Sequence, residues 1–176
     1  MAMTKLKVAT VLCIAVMICA FPSTALSGSL YHATSKAFAR RILKTGIKPA
    51  KFSSQARFGK MFYGAKRPST ALAEKGTRSQ VIRMKTSKQL ARNAWDLRKP
   101  TPDGLRRYVG NTDLRGAVKR RIIGPKLGHK IGKLANRKEK AILYRSSKDG
   151  GTNVAVPASL MAKHPRTLSQ KSLYQR

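Results

Sequence analysis

Cysteine is nearly absent from this chain of 176 residues, which contains two. Both of them, Cys13 and Cys19, lie within the first 25 residues. We expect residues 1–25 to be removed as a signal peptide, so the mature chain would hold no cysteine. It would then have no disulfide, no thiol nucleophile and no thiolate metal site, and packing alone would hold it together.

The N-terminal segment has the pattern of a secretory signal peptide. Lys5 and Lys7 precede an apolar run over residues 8–21, and small residues around Ala25 offer a cleavage site. The run is shorter than the roughly 20 residues that a membrane-spanning helix needs, although an uncleaved anchor is the alternative. The sequence has no second long apolar run. We therefore expect a secreted or periplasmic protein whose mature chain does not insert stably into a membrane.

Acidic residues are also scarce, so a carboxylate for chemistry must come from a set of six. They are Glu74, Asp96, Asp103, Asp113, Glu139 and Asp149. Glu74 stands beside Lys75 near a predicted helix end and is interpreted as solvated. Glu139 stands between Lys138 and Lys140, just before the apolar run Ala141–Tyr144, where it could point into a cleft. The alternative for Glu139 is a strand-end residue paired with neighbouring lysines.

Catalytic signatures are absent as well. The three histidines, His32, His129 and His164, are far apart, and no HExxH or clustered ligand set accompanies them, so we expect no metal site. No Gly-x-Ser-x-Gly elbow, Gly-x-Gly-x-x-Gly fingerprint or Walker loop occurs. The usual role of a lone strand histidine such as His32 is a hydrogen bond to the backbone.

Positive charge is abundant: 38 lysines and arginines against 6 acidic residues give a formal net charge of +32. Such a chain attracts polyanions, which include nucleic acid, anionic lipid surfaces and acidic proteins. Solubility, or passage through an anionic envelope, is the simpler explanation. The basic residues alternate with apolar ones in segments that look foldable, which argues against a disordered basic arm.

Short strands and helices alternate irregularly along the chain, which predicts an α+β fold for one domain over residues 26–165. A loose basic tail is predicted for residues 166–176. Strands are predicted within residues 29–32, 58–65, 79–85, 141–145 and 152–156. Helices are predicted from Lys36 to Gly46, from Pro68, over residues 87–97 and, as one short helix, near 114–121.

Three short motifs occur in order: Leu30-Tyr31-His32-Ala33-Thr34-Ser35, Gly46-Ile47-Lys48-Pro49 and Phe58-Gly59-Lys60-Met61-Phe62-Tyr63-Gly64-Ala65. Together they resemble the N-terminal half of ADP-ribosyltransferases of the histidine-tyrosine-glutamate class. This class includes the poly(ADP-ribose) polymerases and the diphtheria-type toxins. The resemblance implies a split β-sheet core with short flanking helices. Ala33 and Met61 depart from it, because glycine is common at both positions.

The resemblance also implies roles for particular residues. His32 would hydrogen-bond a ribose hydroxyl of NAD, Tyr63 would stack on the nicotinamide, and Glu139 matches the catalytic glutamate by placement. The predicted NAD-binding residues are His32, Thr34, Ser35 and Tyr63, which the resemblance implies, together with Arg57 and Lys60. Arg57 and Lys60 are cations near in sequence that could meet the pyrophosphate, although solvated loop positions explain them equally well.

The sequence thus predicts an exported mono-ADP-ribosyltransferase, a toxin or effector that uses NAD as a substrate. Its acceptor would be nucleic acid or an acidic protein surface, and water as the acceptor would make it an NAD glycohydrolase. The alternative is a secreted cationic protein that binds nucleic acid or an anionic envelope without catalysis. A transferase fold that binds NAD without turnover is the third hypothesis.

Overall fold

The computed structural model describes residues 28–76, 78–86, 90, 94–110, 114, 118–119, 122–163 and 168–174, with side chains up to residue 161. The predicted signal peptide and both cysteines lie outside the described residues. So do Asp113, His164 and most of the helix predicted over 87–97.

The described residues form nine strands and five α-helices. The strands are β1 (Gly28–Thr34), β2 (Met61–Ala65), β3 (Gln80–Thr86), β4 (Ala94–Leu97), β5 (Val118–Lys119), β6 (Ile122–Ile123), β7 (Ala141–Arg145), β8 (Thr152–Pro157) and β9 (Leu168–Tyr174). The helices are α1 (Lys36–Thr45), α2 (Pro68–Lys75), α3 (Pro102–Val109), α4 (Pro125–Arg137) and α5 (Ala158–Lys163). A short 3-10 turn covers Pro49–Lys51.

Seven strands form one sheet in the order β4-β7-β8-β2-β1-β3-β9, and β5 and β6 form a separate pair. β4 and β7 are parallel, whereas the other neighbours in the large sheet are antiparallel. Helices cover both faces of the sheet. We call the face covered by α1 and α5 the α1 face, and the face covered by α2, α3 and α4 the α4 face.

Strand alternation divides the core between these two faces. On the α1 face, Leu30, Phe62 and Val154 pack with Ala39 of α1 and Leu160 of α5. On the α4 face, Tyr144 and Ala155 pack with Leu105 of α3 and Ile131 of α4. Ala65 packs with Ala71 of α2 on the same face.

Local signals explain the boundaries of the elements nearest the site. The Ser35 hydroxyl accepts a hydrogen bond from the Phe38 amide and caps α1, which ends at Gly46 in the left-handed region. Pro68 opens α2 in its first turn. The chain turns between β7 and β8 at Gly150, whose φ is 71°.

The sheet splits between β1 and β2. β1 pairs with β3 over its full length, from Gly28 to Thr34. With β2, by contrast, it shares one register pair, Tyr31 opposite Ala65. The α+β class with a split sheet and short flanking helices is therefore confirmed.

Three sequence predictions differ from the structure. Residues 94–97, expected to be helical, form β4, because the exposed sheet edge of β7 offers them a parallel partner. Residues 118 and 119 form a strand rather than part of the short helix expected near 114–121. The tail expected to be loose contains β9, which pairs with β3 from Leu168 to Tyr174.

Helices α3 and α4 were not predicted from the sequence, because Pro100-Thr101-Pro102-Asp103-Gly104 is typical of a chain break and the glycine-rich residues that follow show no clear period. Within the described ranges, no helix is long and apolar enough to cross a membrane.

Candidate active site

His32 and Tyr63 lie next to each other at the split but project from opposite faces of the sheet. The His32 imidazole packs on the α1 face, where its ring centroid lies 4.9 Å from that of Phe62. Tyr63 follows Phe62 in β2, so its side chain lies on the α4 face with Tyr144. The two predicted partners are therefore joined through the backbone rather than across a shared pocket.

The hydrogen bond of His32 determines which ring nitrogen carries a proton. Its Nδ1 lies 2.7 Å from the carbonyl oxygen of Tyr63. Because a carbonyl only accepts, Nδ1 carries the proton and donates it. Burial lowers the pKa of His32, with a smaller contribution from the positive charge of Lys75. Burial thus favours the neutral imidazole, which bridges the split between β1 and β2.

The hydroxyl group of Tyr63 is committed to the preceding turn. It accepts a hydrogen bond from the Phe58 amide at 2.8 Å and donates one to the Gly59 carbonyl at 3.1 Å. Burial raises the pKa of Tyr63 to about 12. Its ring remains half-buried and meets the ring of Tyr144 edge-on at 6.5 Å between centroids.

The α4 face gathers polar groups around Tyr63 and Tyr144. Asn153 lies opposite Tyr144 on one side and opposite Ala65 on the other. The Asn153 amide donates to Oε1 of Glu74 at 2.7 Å. The Arg57 guanidinium lies 5.4 Å from the centroid of the Tyr144 ring.

Electrostatic interactions also show that these groups are close. Burial is the largest cause that raises the pKa of Tyr144; Tyr63, once it is ionised, and the Glu74 carboxylate raise it further. The positive charge of Arg57 acts in the opposite direction. We call Arg57, Tyr63, Glu74, Tyr144 and Asn153 the tyrosine site. It combines one carboxylate, one guanidinium and two aromatic rings on a single face of the sheet.

Glu74 is the functional candidate that sequence reasoning missed. It stands in the last turn of α2 beside Lys75, a position typical of a solvated residue. Its side chain is exposed but directed to Asn153, a buried residue of β8. No local pattern shows a contact between residues 79 positions apart. The remaining signal was Asn153 itself, a polar residue directly before the apolar run Val154–Pro157.

Glu139 lies in the turn between α4 and β7, with its amide donating to the Asn136 carbonyl at 3.3 Å. Its φ of 51° makes it the one non-glycine residue with positive φ among the residues described. β7 and β2 begin at the same end of the sheet, because both strands are antiparallel to β8. The register places Ile142, three residues beyond Glu139, in line with Ala155 and Tyr63. Glu139 is thus roughly 10 Å away along the strand direction, and its predicted catalytic role stays a prediction.

Thr34, Ser35 and Lys60, which were also predicted to bind NAD, have structural roles at the end of the sheet where β2 begins. Thr34 ends β1 opposite Gln80, and the Ser35 hydroxyl caps α1. Lys60 has an exposed side chain and a carbonyl that accepts from Asn136 at 3.5 Å. Of the six predicted residues, the structure brings the side chains of Tyr63 and Arg57 to the same face. His32 contacts the backbone of Tyr63 from the other face, and the contacts described for Thr34, Ser35 and Lys60 lie elsewhere.

Helix α4 supports the turn that carries Arg57. The His129 imidazole is hydrogen-bonded to the Ala56 carbonyl at 2.8 Å. A Cβ added to Gly128 would lie 2.4 Å from the Arg57 carbonyl oxygen, and one added to Gly132 would lie 1.9 Å from that of Phe58. Only glycine lets the turn approach the helix this closely. The position of Arg57 therefore depends on α4.

A metal site has no support in the described ranges, where no group of three or more His, Cys, Asp or Glu residues could hold an ion.

Comparison with known proteins gives one informative match. The chain shares its fold with a chain of the crystal structure of the M. tuberculosis MbcT-MbcA toxin-antitoxin complex, with a TM-score of 0.52. The match covers 85% of this chain and 84% of that chain at 16% sequence identity. At this identity the likeness shows the fold alone. No family model and no curated protein matches the chain.

Proposed function

We propose that the protein is an NAD-consuming toxin whose reaction takes place at the tyrosine site. The observation that carries this proposal is the meeting of Glu74, Arg57, Tyr63 and Tyr144 on one face beside the split. The motif resemblance to ADP-ribosyltransferases supports NAD as the substrate. The fold shared with a chain of a toxin-antitoxin complex supports a toxin.

The Glu74 carboxylate is suited to the chemical step. Cleavage breaks the bond between ribose C1′ and the nicotinamide nitrogen, and the electron pair of this bond leaves with nicotinamide. The ribose then resembles an oxocarbenium ion, and a carboxylate near its 2′-hydroxyl stabilises the developing positive charge. An acceptor oxygen forms the new bond to C1′ and releases its proton.

Arg57 and the aromatic rings are suited to binding. A guanidinium matches phosphate oxygens in charge and geometry, so Arg57 would hold the pyrophosphate. The half-buried ring of Tyr63 offers an apolar surface for the nicotinamide. Asn153 holds the Glu74 carboxylate at 2.7 Å and thereby orients it.

Three further features remain proposals. The protein is exported through its N-terminal segment. The acceptor is water, nucleic acid or an acidic protein, and only product analysis separates these. By analogy with the toxin-antitoxin complex that shares this fold, a protein partner of the antitoxin kind inhibits the toxin. Given a net charge of +32, such a partner would be acidic.

The decisive experiment measures nicotinamide released from NAD by the purified protein and its variants. Glu74→Gln keeps an oxygen acceptor for the Asn153 amide but removes the charge. We expect nicotinamide release to fall about 10²-fold or more, in line with the loss of one transition-state contact. Asp103→Asn is the matched control, because the Asp103 side chain is 88% exposed and pairs with Arg106 in α3.

Glu139→Gln distinguishes the two glutamates. If Glu139→Gln abolishes nicotinamide release while Glu74→Gln retains it, the reaction takes place near Glu139, at the end of the sheet where β7 begins. If the parent protein leaves NAD intact, the enzyme proposal fails. The cationic binding protein without catalysis is then the better description.

A further inference from the structure

The exposed side of α4 carries a single row of four cations, Lys126, Lys130, Lys133 and Arg137. We call these residues the α4 row. Their spacing of four, three and four residues places them on one side of the helix. At 1.5 Å per residue the row is about 16 Å long. The helix contains no acidic residue.

This arrangement destabilises the isolated helix. Each pair of like charges at a spacing of three or four residues costs about 0.2–0.5 kcal/mol. Lys126 also lies in the first turn, where the helix dipole disfavours a cation. The N-cap residue Gly124 provides no side-chain hydrogen bond, and the first turn has no acidic residue. Of the four cations, Arg137 is the one that the helix dipole favours, because it stands in the last turn. The intrinsic stability of α4 therefore does not explain the whole row.

The opposite side of α4 fixes the row in space. Leu127, Ile131 and Ala135 are buried in the core of the α4 face. Gly128 and Gly132 lie against the backbone of the turn that carries Arg57. The row is thus presented by a rigid element, which lowers the entropic cost of binding an extended partner.

We propose that the α4 row binds the phosphate backbone of a nucleic acid. A protein interface needs apolar or aromatic anchors at its centre. On α4 the leucines and Ile131 face the core rather than the row. A linear row of cations without such anchors fits a linear row of phosphates, which bind through charge and counterion release. This inference does not depend on the NAD reaction.

Helix α1 provides a matched comparison. It also carries four exposed cations, Lys36, Arg40, Arg41 and Lys44. On this helix Phe38 is 54% exposed, and its ring centroid lies 5.7 Å from the Arg41 guanidinium carbon. The number of charges is equal, and Lys36, Arg40 and Lys44 also follow a spacing of four residues. The row on α1 is thus one cation shorter than the α4 row, because Arg41 lies on another side of the helix.

The experiment compares two fourfold glutamine variants of the full chain, one with the α4 row replaced and one with the four α1 cations replaced. Binding to a short duplex DNA is measured over a series of salt concentrations. Each phosphate contact contributes about 0.9 to the slope of log K against log salt. With four contacts, we expect the α4 variant to lose up to about 3.6 from the slope and the α1 variant less than about 1. Equal losses in the two variants would overturn the proposal.

Two further measurements keep the test decisive. Circular dichroism should show both variants folded, because glutamine is a good helix former and its introduction removes repulsion. A variant with arginine at the three lysine positions of the row should bind like the parent. Polyglutamate is the probe for an acidic protein surface. If it displaces the duplex as well as an equal charge of unlabelled DNA does, the nucleic-acid assignment is wrong.

Discussion

At the scale of single residues, the face of the sheet from which a side chain projects decides which predicted residues can act together. Tyr31 lies opposite Ala65, which lies opposite Asn153, so Tyr31 shares the α4 face with Tyr63. His32 is the next residue and projects from the other face. The motif Leu30-Tyr31-His32 correctly indicated this stretch of β1. Successive side chains of a strand project from opposite faces of the sheet. The motif therefore could not indicate which side chain shares a face with Tyr63.

Ionisation of the Tyr63 hydroxyl should make the free energy of unfolding depend on pH in alkaline solution. Burial raises the pKa of Tyr63 to about 12 in the folded protein, against about 10 in the unfolded chain. The folded state then keeps this proton between about pH 10 and 12 while the unfolded state loses it. The Tyr63 contribution to stability is complete below about pH 10 and is lost as pH rises towards about 12.

Urea unfolding of the parent and of Tyr63→Phe at several pH values measures this effect. Above about pH 10 the free energy of unfolding of the parent should fall faster than that of the variant, by up to about 1.4 kcal/mol per pH unit. Tyr108→Phe removes a hydroxyl from another half-buried tyrosine and should retain the steep fall. Parallel curves for the parent and Tyr63→Phe would contradict the burial argument.

Secondary elements were predictable where their signals are local. The Ser35 cap, the Gly46 stop and Pro68 indicated α1 and α2, and the glycine turn at Gly150 indicated the β7–β8 hairpin. β4 was missed because its pairing with β7 is a tertiary contact. Helix α4 was missed because Gly128 and Gly132 resemble helix breakers. In the structure they are positions of close approach to the turn at Arg57 and Phe58.

Replacing Gly132 by alanine should lower the stability of the protein, which is the opposite of the usual effect inside a helix. Replacing a glycine inside a helix by alanine normally stabilises it, by up to about 1 kcal/mol. In Gly132→Ala, the new Cβ would lie 1.9 Å from the Phe58 carbonyl oxygen. The turn must then move, and we expect a net loss of about 1–3 kcal/mol, as in other overpacked sites.

Lys133→Ala is the control for the Gly132 substitution, because it places alanine at an exposed neighbouring position of the same helix. Its unfolding free energy should change by less than about 0.5 kcal/mol. Denaturant unfolding measures both variants. Because Tyr63 bonds to Phe58 and Gly59, Gly132→Ala should also weaken NAD turnover. A stabilised Gly132→Ala variant would show that the turn does not press on α4.

Charge acts on the molecule as a whole and opposes its folding. The chain carries 38 basic and 6 acidic residues, and the ion pairs among the described residues include Asp96–Arg98 and Asp103–Arg106. Repulsion among the cations is therefore much larger than the attraction in these partly exposed pairs, which contribute at most about 1 kcal/mol each. A compact fold concentrates this charge, and polyanion binding relieves it.

This imbalance predicts that added sodium chloride stabilises the protein. From about 0.01 M to about 0.15 M salt the Debye length falls from about 30 Å to about 8 Å, which screens the long-range repulsion. The melting temperature should rise over this range, whereas a protein held by surface ion pairs would lose stability. The glutamine variant of the α4 row provides the internal control, since removing four cations should reduce the rise. Chloride is preferred to sulfate, because sulfate also strengthens apolar burial. A melting temperature that falls with salt would show that short-range pairs, rather than the net charge, dominate the electrostatics of this fold.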